Sequence, residues 1–154
     1  MTASIQRVLF VCLGNICRSP LAEGIFAHLA AQNGTQHLVC DSAGTAAYHI
    51  GKKPDPRSID VARSNGITIS NQRARQLQDN DFEEFDLILC MDRSNLSDAI
   101  RQRSSGKAEI ALFMTYAAGE TVDVPDPYYG GPDGFDTVFR MLHEANQKLL
   151  DKLT

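Results

Sequence analysis

The run Val8-Leu9-Phe10-Val11 passes directly into Cys12-Leu13-Gly14-Asn15-Ile16-Cys17-Arg18-Ser19-Pro20. A short aliphatic run closed by a glycine-containing loop reads as a buried strand, here Ile5–Val11. Beyond the loop, Leu21, Ala22, Ile25, Phe26, Leu29 and Ala30 recur at helical spacing, and Gly34 can end that helix. Ser19 is a candidate N-cap and Pro20 a candidate first helical residue, because proline's missing N–H is not needed there. A strand, a tight loop and a proline-started helix form the opening unit of a parallel α/β sheet.

The same alternation continues along the chain. The sequence predicts a strand over His37–Asp41, followed by the small-residue loop Ser42-Ala43-Gly44-Thr45. Asp55-Pro56 predicts a capped helix reaching about Ser64, with Gly66 past its end. Leu87–Met91 reads as a strand, Asp92 to about Arg103 as a helix, and Ile110–Phe113 as a last strand. A loop rich in Gly, Pro and Asp covers 115–134, and Val138, Leu142, Ala145 and Leu149 mark one face of a terminal helix. The expected fold is therefore one α/β domain over residues 1–154, a Rossmann-like four-stranded parallel sheet with helices on both faces. In such sheets ligands bind beyond the carboxyl ends of the strands. That edge would gather the loop after Val11, the loop after Asp41 and the long loop after Phe113.

Composition narrows the function classes. The 154 residues are 43% hydrophobic and 22% charged with a net charge of −4, which argues against a general nucleic-acid binder. Lys52-Lys53 and Arg73/Arg75 are either ordinary solvated residues or a local field that steers an anion. No apolar stretch is long enough for a membrane span or for a signal-peptide core, so a cytoplasmic setting is expected. The four cysteines, at 12, 17, 40 and 90, have no zinc-type pairing and no disulfide framework is expected in a reducing compartment. His28, His37, His49 and His143 lack metal-ligand spacing, and only His49 falls in a segment expected near a site. No metal or cofactor is expected.

A cysteine followed by five residues and then Arg-Ser suits a loop wrapped around a tetrahedral oxyanion. Backbone N–H groups of a loop entering a helix, with the helix dipole behind them, favour bound negative charge. Gly14 permits the turn, and Asn15 tolerates a left-handed backbone. Arg18 can grip two oxygens with its planar fork, as lysine cannot. Cys12 would feel the same donors and so favour the thiolate, the form that acts as a nucleophile. Ser19 can donate a hydrogen bond to that sulfur, but it cannot fully cap the helix at the same time. Such a set points to phosphoryl transfer through a phosphocysteine.

The segment Cys12–Pro20 resembles the signature loop of the low-molecular-weight protein tyrosine phosphatases. The likeness continues through Asp41–Thr45, Pro54–Arg57, Met91–Asn95 and Asp126–Gly131, and so spans nearly the whole chain. It implies phosphotyrosine hydrolysis, with Cys12 as nucleophile, Arg18 binding phosphate and Asp126, rather than the nearby Asp123, as general acid and base. Leu13, Gly14, Asn15, Ile16, Cys17 and Ser19 would surround the phosphate. Leu13, Tyr48, Tyr128 and Tyr129 would form the pocket wall, where relatives often carry a tryptophan that this chain lacks. Ser42 would support the loop together with Asn15. Some relatives place a histidine near that pair, within the segment matching Ser70–Gln76; this chain has Gln72 there. Cys17 could form a protective disulfide with Cys12, and the acid-loop tyrosines could be phosphorylated.

The expected partners are tyrosine-phosphorylated proteins, such as a tyrosine kinase, with no nucleic acid and no membrane, and the chain a monomer or weak dimer. Leu13, where a phosphoarginine specialist would be expected to carry threonine, favours tyrosine. A thiol-dependent arsenate reductase, a phosphate-binding module and a phosphocarrier are the rival readings. The reductase needs a relay of further cysteines, and the other two need no Asp126.

Overall fold

The computed structural model describes residues 5–35, 37–128, 130, 131 and 133–154. Its centre is a four-stranded sheet in the order β2-β1-β3-β4. The strands are β1 (Arg7–Cys12), β2 (Val39–Gly44), β3 (Leu87–Cys90) and β4 (Glu109–Leu112), and every pairing is parallel. The helices are α1 (Arg18–Gln32), α2 (Pro56–Ser64), α3 (Asp81–Glu84), α4 (Arg93–Gln102), α5 (Phe113–Ala118) and α6 (Asp133–Leu153).

Both faces of the sheet are covered, and β1 shows why its sequence is a continuous apolar run. Val8 and Phe10 face α1, α2, α5 and α6, while Leu9 and Val11 face α3 and α4. Alternate residues of a strand point to opposite sides, so a strand buried on both sides needs apolar residues throughout. Phe10 stacks edge-on against Phe26 of α1 and Phe113 of α5, with ring centroids 5.7 and 5.4 Å away. The apolar positions expected of the first helix are all buried. The buried Asn146 of α6 donates to the Ala22 carbonyl at 3.2 Å and ties α6 to α1.

Three expectations need correction. The first strand starts at Arg7 and includes Cys12, and the second runs over Val39–Gly44, two or three residues later than read. Phe113 is not the end of the last strand: it opens α5, which stops at Gly119 in the left-handed conformation (φ 71°). Ser19 is not an N-cap either. The first helix begins at Arg18 after Cys17, and no side chain caps it. Asp55 and Pro56, by contrast, act as expected, the Asp55 carboxylate accepting from Arg57 N at 2.8 Å.

The chain order places the reversal of the sheet between β1 and β3, the crevice where such sheets bind ligands. Among the described residues, no helix is long and apolar enough to cross a membrane.

Candidate active site

The loop from Cys12 to Arg18 is held from outside by its carbonyls. Those of Cys12 and Leu13 accept from Thr45 N and Ala46 N, both at 2.9 Å, and that of Ile16 accepts from Asp55 N at 2.8 Å. The Cys17 carbonyl accepts from the buried Ser58 hydroxyl at 3.4 Å. The N–H groups of Leu13, Gly14, Asn15, Ile16 and Cys17 donate to no partner among the described residues. A loop whose acceptors are occupied and whose donors are not is a cradle for an anion. Gly44 makes this possible. A Cβ there would lie 2.7 Å from the Leu13 carbonyl oxygen and 3.1 Å from Asn15 N, so only glycine lets the end of β2 approach the loop.

Asn15 adopts φ 57°, the one left-handed non-glycine among the described residues. Its side chain holds that conformation: Oδ1 accepts from Arg75 N at 3.0 Å, and Nδ2 donates to Ser19 Oγ at 2.8 Å and Ser42 Oγ at 3.0 Å. Ser19 Oγ lies 3.0 Å from Cys12 Sγ. With the capping role gone, the Ser19 hydroxyl joins only Asn15 and the sulfur. The uncapped helix start leaves loop amides free for a ligand.

Arg18 is 2% exposed and closes the loop. Its Nη1 donates to Asp92 Oδ2 at 2.6 Å and to the Val124 carbonyl at 3.0 Å. Those bonds fix the guanidinium and leave the Nε–Nη2 edge for two oxygens of a ligand. Burial works against this cation, but Cys12, Asp92 and Asp126 together hold its pKa above the ordinary range. Asp92 itself is fixed as the N-cap of α4, accepting from Asn95 N at 2.8 Å. Val124 N donates to the Met91 carbonyl at 2.8 Å, pinning the long loop to the end of β3.

That loop carries Asp126 to the site. Its Oδ2 stands 3.6 Å from Arg18 Nη2, and its Oδ1 accepts from Tyr128 N at 3.0 Å. Asp123 is turned to Arg93 instead, accepting from its backbone N at 3.1 Å. A cavity of about 270 Å³ is lined by Cys12, Leu13, Gly14, Ile16, Cys17, Arg18, Tyr48, His49, Asp126 and Tyr128.

Residues from both ends of the chain thus converge as expected, while Asn15, Ser19 and Ser42 sit behind the loop. Tyr129 lies outside the described residues. Arg75 is no steering charge, since it pairs with Asp41 at 3.2 Å and Asp81 at 3.0 Å.

The model of the family described as low molecular weight phosphotyrosine protein phosphatase matches residues 7–154. The chain belongs to that family. It is 45% identical to the fission yeast (Schizosaccharomyces pombe) enzyme of that name, over 99% of each chain. The protein tyrosine phosphatase of Entamoeba histolytica superposes with a TM-score of 0.89 at 37% identity, covering 96% of both chains. A Drosophila protein described as an arginine phosphatase superposes at 0.86 with 33% identity, over 94% of this chain and 96% of its own. The chain is accordingly a hydrolase of the tyrosine phosphatase type.

Two residues of the site, Asp92 and Glu23, were given no role from the sequence, and a third, His49, was expected only to lie near it. Asp92 follows a buried strand at the ligand-binding edge of the sheet, a position that itself was a signal. His49 lies in the turn flanking Tyr48, with a ring that closely approaches Gly14. Glu23 is one helical turn after Ser19 on an otherwise apolar face, and its carboxylate accepts from the Ser42 hydroxyl at 2.6 Å.

Proposed function

We propose that this phosphatase removes phosphate from phosphotyrosine in proteins through a phosphocysteine on Cys12. The observation that carries the reading is the cradle of unpartnered loop amides around Cys12, closed by Arg18 and faced by Asp126. The Cys12 thiolate attacks phosphorus opposite the phenolic oxygen. The S–P bond forms and the P–O bond breaks, with that bond's electron pair leaving on oxygen. Asp126 gives its proton to that oxygen, needed because a free phenoxide belongs to an acid of pKa about 10. Water then attacks phosphorus and passes a proton to Asp126. The S–P bond breaks, the thiolate returns, and inorganic phosphate leaves. The loop amides and Arg18 hold the equatorial oxygens in both steps.

Leu13, Tyr48 and Tyr128 at the mouth supply flat and apolar surface for a phenol ring. Leu13 at the mouth supports tyrosine over arginine as the phosphorylated residue. Tyr129 and regulation through acid-loop tyrosines belong to the same reading. Cys17 is proposed to guard Cys12: after a peroxide oxidises Cys12 to the sulfenic acid, the Cys17 thiol displaces water from it to form a disulfide. The four free thiols suit a reducing cytoplasm, and a site built from one chain suits a monomer or weak dimer whose substrates include a tyrosine kinase. The reductase reading is set aside because Cys90, which pairs with Val11 beside Cys12, has no further cysteine in its own segment to complete a relay.

Cys12→Ser should abolish hydrolysis of para-nitrophenyl phosphate. Asp126→Ala should lower turnover most for leaving groups of high pKa, by about 10²–10⁴-fold for phenols like tyrosine. An equal loss across a leaving-group series would remove Asp126 from the acid role.

A further inference from the structure

Behind the loop runs a chain of hydrogen bonds whose proton directions follow from Asn15 once the Cys12 sulfur is a thiolate. Asn15 Oδ1 is occupied by Arg75 N–H, so its amide nitrogen must face the two serines and donate to both. Each serine oxygen is then an acceptor toward Asn15 and keeps its own proton for the other side. Ser42 spends that proton on Glu23 Oε1 at 2.6 Å, and Ser19 spends its own on Cys12 Sγ at 3.0 Å. The short Ser42–Glu23 bond has the length of a charge-assisted O–H···O contact.

We propose that Glu23 is a positioning residue whose ionised carboxylate, acting through Ser42 and Asn15, keeps the Ser19 hydroxyl proton on the Cys12 sulfur. The proposal rests on Cys12 being the nucleophile. Protonating Glu23 removes the negative charge from the acceptor at the far end of the chain. The bond from Ser42 then loses its charge assistance, and Ser42 holds Asn15 less firmly. The clamp on the left-handed Asn15 weakens, and with it the aim of Ser19.

The surroundings of Glu23 place this change near neutral pH. From β2 it is faced by Asp41 and the Cys40 thiol, and from the segment before α3 by Arg75. Arg75 is shared with Asp41 and Asp81. His28, on the same helix, and Gln72 line the shallow cavity that Glu23 borders. Gln72 donates to the Pro20 carbonyl at 3.1 Å. Burial pushes the Glu23 carboxyl up to about 7 against the pull of the Ser42 hydrogen bond, with Asp41 adding to the rise and Arg75 opposing it. The chain is therefore aligned above about pH 7 and relaxed below it.

The test is the rate of Cys12 alkylation by iodoacetamide across this pH range, which reads the sulfur without involving Asp126. The wild-type rate should show a step near pH 7. Glu23→Gln should lack that step and react about tenfold more slowly above it, the scale of one lost charge-assisted bond. Ser42→Ala keeps the carboxylate but cuts the chain, so it should lose the step as well and decides the matter if Glu23→Gln does not fold. Wild-type profiles in both variants would overturn the role of Glu23 while leaving the nucleophile untouched. If alkylating Cys12 in the wild type leaves turnover intact, the nucleophile reading fails and this proposal falls with it.

Discussion

Burial is the main reason the thiols of Cys17, Cys40 and Cys90 are each pushed up to about 12. At neutral pH these three stay protonated and are poor nucleophiles. Cys12 instead has the Ser19 hydroxyl on its sulfur and stands at the base of the amide cradle. Limited alkylation at pH 7 should therefore label Cys12 first, and mild peroxide should give a Cys12–Cys17 disulfide, both read by peptide mass spectrometry. Labelling spread evenly over the cysteines would contradict the first expectation, and a lone oxidised Cys12 would remove the guarding role of Cys17. At this scale the chemistry-bearing residues were legible because Cys12, Arg18 and Ser19 lie in one short segment with a spacing that their chemistry requires. Glu23 was not, because its meaning depends on Ser42, which only the pairing of β1 with β2 brings beside α1.

At the scale of elements, the loop's shape comes from what presses on it. Thr45 and Ala46 grip its carbonyls, and Gly44 allows them to come close enough. Gly44→Ala must move a backbone oxygen 2.7 Å from the new Cβ. Overpacking of that kind costs about 1–3 kcal/mol, and here it falls on the cradle itself. The variant should show a lower midpoint in denaturant together with a rise in KM for para-nitrophenyl phosphate; unchanged values for both would contradict the fit.

Strands and long helices could be read because their apolar periods were clear and Asp55-Pro56 carries its own cap chemistry. α5 was overlooked because Phe113 favours strands by propensity and the residues from Thr115 onward read as part of the Gly-, Pro- and Asp-rich loop. Packing of Phe113 on Phe10 overrides that preference, although Gly119 was a usable stop signal. The α1 boundary differed for a functional reason: capping by Ser19 would have used donors that the cradle keeps for its ligand.

For the whole molecule, the parallel sheet brings the ends of β1, β2 and β3 to one edge, and Arg18 ties them together. Its guanidinium joins the loop after β1 to Asp92 after β3 and to Val124 in the acid loop, 106 residues away along the chain. Because Asp126 arrives on that same segment, the proposed acid and nucleophile share one fixed frame. This convergence was expected from the rule that ligands bind at the carboxyl ends of strands. The anchoring of Val124 on Met91 was not, since a carbonyl leaves no mark in a sequence.

The frame also explains why one sulfur could serve as nucleophile and leaving group in turn: the same donors face it in both steps. Mixing the enzyme with para-nitrophenyl phosphate, quenching in the steady state and mapping the modified peptide tests this most directly. Phosphate should be found on the sulfur of Cys12, and in greater amount in Asp126→Ala, where water's attack lacks a base. Steady turnover with no phosphorylated cysteine, or with phosphate on any other residue, would contradict it.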